Sequence, residues 1–340
     1  MEYLINIVLL SLLVVVAIGI IRMKDLFAVV MLTGIYGLLS ASFFVAMDAV
    51  DVAFTEAAVG AGISTLLMLV VITMTGRKEK ATRHKPFAAL FVVVITGGLL
   101  VYGTLDMPLF GSADAPIHNH VAPRYLNDSM QEIGIPNVVT SVLASYRAFD
   151  TFGEVVVIFT AGIGVLAMLF AHRRREEDEK LAAINDSMHE KHLVIRIVTK
   201  MLIPFILLFA LYVQFHGDYG PGGGFQAGVI FSSAIVLYAM LFGLSAARRV
   251  VNQGFIQLMA AFGVLCYGCV GIASLLNGGN FFDYNVLSND PVAGQHLGIL
   301  LIEWGVGVTV ASIMIIIFFS FAGRREIQQY VEQNKNKESV

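Results

Sequence analysis

The feature that most constrains this sequence is a series of apolar stretches that are each long enough to cross a lipid bilayer. A spanning helix needs about 20 apolar residues, because the hydrocarbon core is about 30 Å thick and each residue rises about 1.5 Å. Hydrophobic residues make up 57% of the 340 residues and charged residues only 14%, which is too little charge for a water-facing surface. The sequence therefore predicts an all-α, polytopic membrane protein. Its nine predicted spans are residues 3–21, 26–47, 51–75, 86–105, 151–171, 194–215, 222–244, 253–275 and 297–321.

The basic residues predict the orientation of these spans, because Lys and Arg collect on the cytoplasmic side of membrane proteins. All 22 Lys and Arg residues except Arg124 and Arg147 lie in or beside alternate connections or in the C-terminal tail. The first of these connections follows the first span. This distribution predicts an N-terminus outside the cell and a C-terminus inside it.

Two basic connections divide the chain into modules of three, two and four helices. They are RKEKATRHK at residues 77–85 and HRRREEDEK at residues 172–180. The longest segment between predicted spans is 106–150, on the outer side, and its second half has the apolar spacing of an interfacial helix. The predicted domains are residues 1–80, 81–180 and 181–325, followed by a polar cytoplasmic tail at 326–340.

Charge and cysteine content exclude other classes of protein. The net charge is −3 and no large basic face is implied, so nucleic acid is not an expected partner. Cys266 and Cys269 are too few for a disulfide framework and lie within a span, where packing is the simplest role. His118 and His120 have no further ligands nearby in the sequence. No cofactor and no resident metal are therefore expected.

Acidic residues inside the spans are the first candidates for function, because a charge in hydrocarbon is costly unless it is paired, neutralised or hydrated. The first module contains Asp51 and Glu56 in DAVDVAFTEAAVGAG, next to small residues that let another helix approach closely. We predict that both acids take part in ion translocation, with transported Na⁺ near Glu56. The alternative is that Glu56 lies near the surface and that its carboxylate reaches the outer water.

The second module contains an acid–base cluster in YRAFDTFGEVVVIFTAG. Asp150 and Glu154 are four residues apart on one helical face, and Arg147 precedes Asp150 by three residues. Both acids are predicted ion-translocation residues. The alternative is a helix N-cap at Asp150 or Thr151 with Glu154 in the first turn.

The third module contains HGDYGPGGGFQAG at residues 216–228, between two spans. A proline followed by three glycines predicts an irregular backbone that opens a helix and exposes N–H groups at its positive end. No Lys-Ser or Lys-Thr follows, so the segment is not a phosphate loop. A tight turn that allows close helix packing is the alternative. The predicted motif residues are His216, Asp218, Pro221, Gly222, Gly223, Gly224 and Phe225.

Two further charged residues of the third module are ion-translocation candidates. Glu303 lies in the last span, seven residues after His296 and on roughly the same face. Lys200 lies at the inner end of the sixth span, where its side chain could instead reach the cytoplasmic interface. By residue count, Glu56, Glu154 and Glu303 all lie about 5–10 Å from the outer ends of their predicted spans.

These motifs resemble those of one family. HGDYGPGGGFQAG resembles the signature of the B-type subunit of the Mrp-type multisubunit Na⁺/H⁺ antiporters, which homologous subunits of membrane-bound hydrogenase-type complexes share. DVAFTEAAVGAG resembles the three-helix domain at the end of the large A-type subunit, and NVVTSVLASYRAFDTFGEVVVIFTAG resembles the two-helix domain that follows it. The chain therefore resembles a fusion of the end of the A-type subunit with the B-type subunit. In one departure, Asp218 replaces a His that the family has three residues before the Pro.

The resemblance implies a subunit of a cation/proton antiporter in the cytoplasmic membrane of a prokaryote. It implies exchange of Na⁺ or another monovalent cation for H⁺, and it implies partners that include large proton-translocating subunits and small membrane subunits. The chain itself would be a transporter subunit without catalytic residues. Two alternatives remain: a membrane-arm subunit of a hydrogenase-like oxidoreductase complex, and a passive scaffold that holds larger subunits together.

Overall fold

The fold is an assembly of long helices, as expected for an all-α membrane protein. The computed structural model describes residues 2–79, 86–109, 111–169 and 193–338, and within these ranges the chain forms helices and no β-strand. Nine of these helices are long and apolar enough to cross a membrane, which confirms the predicted number of spans for the described part of the chain. They are α1 (Glu2–Arg22), α2 (Leu26–Ala46), α3 (Val50–Thr75), α4 (Pro86–Thr104), α5 (Ala148–Leu169), α6 (Leu193–His216), α7 (Gly224–Phe242), α8 (Gln253–Leu276) and α9 (Pro291–Glu338).

Helix α9 differs most from its predicted bounds of 297–321. It begins at Pro291, where the fixed backbone angle of proline suits a first helical turn, and it continues to Glu338. The tail predicted at 326–340 is therefore helical as far as Glu338. Its Glu, Gln and Lys residues are strong helix formers, and no Gly or Pro interrupts them.

The two basic connections lie mostly outside the described residues. Residues 80–85 and 170–192 lie outside the described residues, and they include most of RKEKATRHK and all of HRRREEDEK. The division into three, two and four helices therefore stays a prediction. The same holds for the domain bounds and for the orientation of the termini.

Helix α9 is the centre of the bundle and contacts α3, α5, α6, α7 and α8. In its most apolar part 67% of the residues are buried, against none in the corresponding part of α4. Glycines allow this close packing. A Cβ atom at Gly228 would lie 2.7 Å from the carbonyl oxygen of Gly307, and one at Gly305 would lie 2.7 Å from that of Gly263. The backbones of α7 and α8 therefore lie almost against that of α9.

Helix α3 changes its winding in the middle. Its residues Ala57–Ser64 form a π-helix between α-helical segments on either side. The hydroxyl groups of Ser64 and Thr65 both donate to the carbonyl oxygen of Gly60, at 2.8 and 3.2 Å. Helix α2 packs here through Gly37, whose added Cβ would lie 2.9 Å from the backbone nitrogen of Ala61. The small residues that the sequence predicts for a helix contact therefore do lie in one.

The segment between α4 and α5 contains several short helices, and its second half, predicted as an interfacial helix, is helical from Val138 to Tyr146. The helices are Pro116–Asn119, Ala122–Asn127, Ser129–Glu132 and Val138–Ser141, followed by a π-helical turn at Val142–Tyr146. The turn ends at Arg147, whose backbone leaves the helical region, and α5 begins at the next residue. We call the segment between α4 and α5 the long loop, and the end of the bundle that carries it the long-loop end.

Candidate functional site

A cavity of about 290 Å³ lies at the long-loop end, between parts of the chain that are far apart in sequence. Helices α3, α5, α7 and α9 line it, together with residues 139–144 of the long loop. Three acids and four uncharged polar residues contribute to its wall. They are Asp51, Thr55, Thr140, Thr151, Glu154, Gln226 and Glu303.

Asp51 lies in the first turn of α3, at the rim of this cavity. Its carboxylate faces the side-chain amide of Asn137 and the backbone N–H of Gly222. One turn further along α3, the hydroxyl of Thr55 donates to the carbonyl oxygen of Asp51 at 3.0 Å and accepts from Gln226 Nε2 at 2.8 Å. Since Gln226 is buried on α7, this bond links the beginnings of α3 and α7 directly.

The glycine-rich segment forms the wall between α6 and α7. Gly223 has φ +112°, a conformation that residues with a side chain rarely adopt, and α7 begins at the next residue. A Cβ at Gly223 would lie 3.2 Å from Glu303 Oε1, and one at Gly224 would overlap the carbonyl oxygen of Glu303. Gly222, Gly223, Gly224 and Phe225 line the cavity. The tight-turn interpretation is therefore compatible with a site at the same place.

Glu303 is half-buried where α9 passes the start of α7. This contact puts Glu303 level with the first residue of α7. Helix α9 itself begins six residues earlier than predicted. Asp218, in the segment between α6 and α7, is close enough to interact electrostatically with both Glu303 and His296. Burial raises the pKa of Asp218, and His296 opposes that change. Asp218 therefore adds a half-buried acid near the cavity without lining it.

The other motif residues, His216 and Pro221, are not part of the cavity wall. His216 stacks on Tyr212 with ring centroids 5.0 Å apart, and its Nδ1 lies 3.3 Å from the Tyr212 hydroxyl.

Glu56 faces another part of α3. It does not line the cavity, and its carboxylate lies beside Gly60 of the same helix and Gly37 of α2. The geometry of the helix explains this difference: Asp51 and Thr55 are four residues apart and share a face, whereas one further residue turns Glu56 by about 100°.

The remaining predicted residues also lie elsewhere. The guanidinium of Arg147 pairs with the carboxylate of Asp150 at 2.6 Å, and both side chains are more than half exposed. Lys200 Nζ lies 5.2 Å from the ring centre of Phe242, and Arg196 lies over the same ring at 5.1 Å. Because α6 ends at the long-loop end, Lys200 lies near its opposite end, which fits a side chain that reaches the interface.

Sequence reasoning missed several polar residues of the site, among them Gln226, Asn137 and Thr140. Gln226 could have been found as an amide inside an otherwise apolar span. Asn137 could have been found as an N-cap before an apolar run, and its Oδ1 does accept from the Val139 N–H at 3.0 Å. Thr140 had no signal of this kind. Among the described residues, no group of three or more His, Cys, Asp or Glu side chains could hold a metal ion.

The long loop contains a separate polar cluster. Arg124 makes a two-pronged ion pair with Glu132, at 3.1 Å for the shortest contact, and the Tyr146 hydroxyl also donates to Glu132. The hydroxyl of Tyr146 has the largest effect on Glu132 and lowers its pKa; burial opposes this change, and the Arg124 guanidinium adds to it. Burial and the Glu132 charge raise the pKa of Tyr146 to about 12.

Models of three protein families match successive parts of the chain. Residues 194–316 match a domain related to the MnhB subunit of Na⁺/H⁺ antiporters. Residues 11–77 match the family MbhD and residues 90–186 the family MbhE, which are described as the D and E subunits of MBH.

Two curated relatives align with different shares of the chain. A Rhizobium meliloti protein, named as the A/B subunit of a K⁺/H⁺ antiporter, is 24% identical over 331 residues, which cover 87% of this chain and 32% of the relative. The Staphylococcus aureus antiporter subunit mnhB2 is 32% identical over 141 residues, which cover 41% of this chain and 99% of that protein. The chain thus spans about a third of the first relative and nearly all of the second.

Two solved structures are similar in fold. A chain of the Mrp complex from a Dietzia species superimposes with a TM-score of 0.72 at 24% identity, over 93% of this chain and 34% of that one. A chain of the membrane-bound sulfane sulfur reductase, an archaeal respiratory membrane complex, gives a TM-score of 0.52 at 26% identity, over 70% of this chain and 98% of that one.

Proposed function

This chain belongs to the family of MnhB-type antiporter subunits, and on that premise we propose that it is one membrane subunit of a multisubunit cation/proton antiporter. Its C-terminal part is similar to mnhB2 over nearly the whole of that protein, and the relative that aligns with most of the chain is named as an A/B subunit. In this proposal residues 1–80 and 81–180 take the place of the end of the A-type subunit, and residues 181–325 that of the B-type subunit. The partners are separate large proton-translocating subunits and small membrane subunits.

The proposal assigns the cavity at the long-loop end to the ion path. The observation that carries it is that Asp51, Glu154 and Glu303, from three distant parts of the chain, line one cavity. Carboxylate, hydroxyl and amide oxygens are the ligands that hard cations prefer. The cavity therefore presents oxygen ligands to a Na⁺ or K⁺ in passage, and its lining includes no sulfur or imidazole ligand.

Exchange follows from competition at a carboxylate. In surroundings of low dielectric constant a carboxyl group favours its neutral, protonated form, whereas a bound cation favours the ionised form. A carboxylate that holds a cation thus releases its proton, and the reverse step releases the cation. We propose Glu303 as the main site of this competition, since it lies beside the Gly223 turn and within electrostatic range of Asp218. Asp51 and Glu154 complete the acidic lining.

Glu56 stays in the proposal as a separate position on the α2 side of α3. The orientation proposed for the membrane puts the cavity on the outer side, as the charge distribution predicts. Reporter fusions would test this: one after residue 330 should read cytoplasmic and one within residues 106–135 should read external.

Glu303→Gln tests the function, because glutamine keeps the shape and hydrogen-bonding capacity of the side chain and removes the titratable charge. The variant would be made in the complete complex, and cation-dependent proton movement would be measured in inverted vesicles with Na⁺ and with K⁺ separately. We expect transport to fall about a hundredfold, while blue-native gels show a normally assembled complex. Asp114→Asn, an exposed acid of the long loop, is the matched control.

Unchanged transport in Glu303→Gln, Asp51→Asn and Glu154→Gln alike would contradict the proposal. These acids would then be structural, and the chain would act as a scaffold.

A second function has specific support. Two of the matched families are described as MBH subunits, and one similar structure is a chain of a respiratory sulfane sulfur reductase. The chain would then belong to the membrane arm of an oxidoreductase complex, in which electron transfer drives ion movement. Purification of the intact complex distinguishes the two: co-purifying subunits that contain iron–sulfur clusters would favour the second function, and their absence from an active complex would favour the antiporter.

A further inference from the structure

Asn137 lies where three distant parts of the chain meet. Its side-chain Nδ2 donates to the carbonyl oxygens of Gly217 and Gly220, at 3.0 Å each. Its Oδ1 accepts from the N–H of Val139, and its backbone N–H donates to the carbonyl oxygen of Asp218 at 3.0 Å. An asparagine side chain has two N–H donors and one carbonyl acceptor, and both its nitrogen and its oxygen have partners here. This pattern fixes the orientation of the amide.

The contacts of Asn137 hold the segment that precedes the glycine run. Thr140, almost one turn later in the loop, donates from its hydroxyl to the same Gly217 carbonyl oxygen at 2.6 Å. Gly217 cannot move away from the long loop without breaking both bonds. Both donors are on one short helix, Val138–Ser141 with its cap, so the loop holds the start of the turn as a unit.

The same amide also reaches the other side of the cavity rim. It faces the carboxylate of Asp51, whose second neighbour is the backbone N–H of Gly222. Asn137 thus contacts the acid on α3 and the turn before α7 at the same time. The long loop connects them through a single side chain.

We propose that Asn137 is a positioning residue of the ion path: it sets the separation between Asp51 and the Gly222–Gly224 turn, and thereby the size of the cavity in which cation and proton compete. This inference rests on the proposed function. Asn137 acts through Asp51 and through the turn, so its loss should weaken cation binding more than it slows the exchange step.

The geometry explains why asparagine is required. Alanine and serine are too short to reach two carbonyl oxygens across the loop. Aspartate has a similar shape, but it would put a carboxylate against the carbonyl oxygens of Gly217 and Gly220 and beside a second carboxylate, that of Asp51, with no donor left to bind them. Asn137→Ala is the informative variant, since it removes the bonds and introduces no repulsion.

The test measures transport in inverted vesicles that contain the complete complex, at a series of Na⁺ or K⁺ concentrations. We expect Asn137→Ala to raise the KM for the cation about tenfold, with a maximal rate within about twofold of the wild type. Thr140→Val removes one bond to Gly217 and keeps the shape of the side chain, so it should raise KM about threefold. Asn127→Ala, an exposed asparagine of the same loop, is the control and should leave KM unchanged.

Two results would overturn the inference. One is an assembled Asn137→Ala complex with unchanged KM. The other is a maximal rate that falls in proportion to the amount of assembled complex while KM stays constant, as expected of a purely structural residue. If Asn137→Ala does not assemble, Thr140→Val decides: an unchanged KM contradicts the inference. Glu303→Gln distinguishes a failure of this inference from a failure of the proposed function. A loss of transport in Glu303→Gln supports the proposed function, whatever the result for Asn137→Ala.

Discussion

The surroundings of Glu303 and Glu56 differ although the sequence puts both acids at a similar depth. Glu303 lies at a cavity whose walls come from four helices and a long loop, so that helices from the first to the last third of the chain meet there. Glu56 lies between α2 and α3, two helices joined by a turn of three residues. The comparison teaches that the face of the helix, more than the depth of the residue, decides which parts of the chain an acid can connect.

The two sites also use glycine differently. At Glu303, Gly223 and Gly224 let the start of α7 approach the backbone of α9. At Glu56, Gly60 and Gly37 leave room for the carboxylate itself inside a helix contact. The first arrangement joins distant helices and borders on a cavity, whereas the second fills the space that it creates.

The largest effect is expected where glycine joins distant helices. In Gly224→Leu the added side chain would overlap the Glu303 carbonyl oxygen and the Val306 side chain, so α7 and α9 would be forced apart. We expect less than about a tenth of the normal amount of assembled complex on blue-native gels. Gly164→Leu on α5 is the control, because nothing lies within 4 Å of an added Cβ there. Normal assembly of Gly224→Leu would mean that α7 and α9 are not packed this closely.

Gly223→Leu tests the neighbouring position, where the sequence alone suggests a packing role. The positive φ angle disfavours leucine there, and the side chain would meet Glu303. We expect impaired assembly here as well. A fully assembled but inactive Gly223→Leu complex would instead indicate that this turn matters for ion movement.

The next largest effect compares the two acids directly. We expect Glu56→Gln to lower transport less than about threefold, against about a hundredfold for Glu303→Gln. The reason is that a neutral side chain can still fill the space between α2 and α3, whereas the cavity loses a group that binds either a proton or a cation. Equal losses in the two variants, measured in the same vesicles, would mean that the path also runs through the α2 side of α3.

Apolar pattern predicts this fold well because membrane spanning is decided locally, by about 20 apolar residues at a time. The ends of α9 are different: proline suits the first helical turn at Pro291, and helix propensity continues the helix past its apolar run up to Glu338. In the site, the i, i+4 spacing of Asp51 and Thr55 is readable from the sequence. Which face of α3 meets α7 is not, because it depends on the π-helical segment and on the glycines of other helices.

A smaller effect tests the bond that links α3 to α7 beside the cavity. Thr55→Val removes the acceptor of Gln226 Nε2 and leaves a buried amide without its partner. We expect a stability loss of about 1–3 kcal/mol, seen as a lower apparent melting temperature of the purified complex. Thr75→Val, at an exposed hydroxyl near the other end of α3, should lower the apparent melting temperature much less. If both variants melt alike, the Thr55–Gln226 bond does not hold the two helices together.

The smallest effect at neutral pH is expected in the long loop, away from both acids. Because Tyr146 and Arg124 lower the pKa of Glu132, their contacts stabilise the loop fully above the ordinary pKa of glutamate, about 4.3. That stabilisation is lost as the pH falls through the lower, folded-state value. Tyr146 itself stays protonated over this range, since its pKa is about 12.

Tyr146→Phe tests this contact because it removes the hydroxyl donor. The pKa of Glu132 should then rise towards its ordinary value, and the loop should loosen at a higher pH than in the wild type. Hydrogen–deuterium exchange of peptides from residues 122–146, corrected for the intrinsic rate at each pH, would measure this shift, with the exposed Tyr102→Phe as control. An identical pH dependence in Tyr146→Phe and wild type would show that Arg124 alone holds Glu132. Transport at pH 7 should be unaffected, because the loop contact is complete there and lies outside the cavity that Glu303 lines.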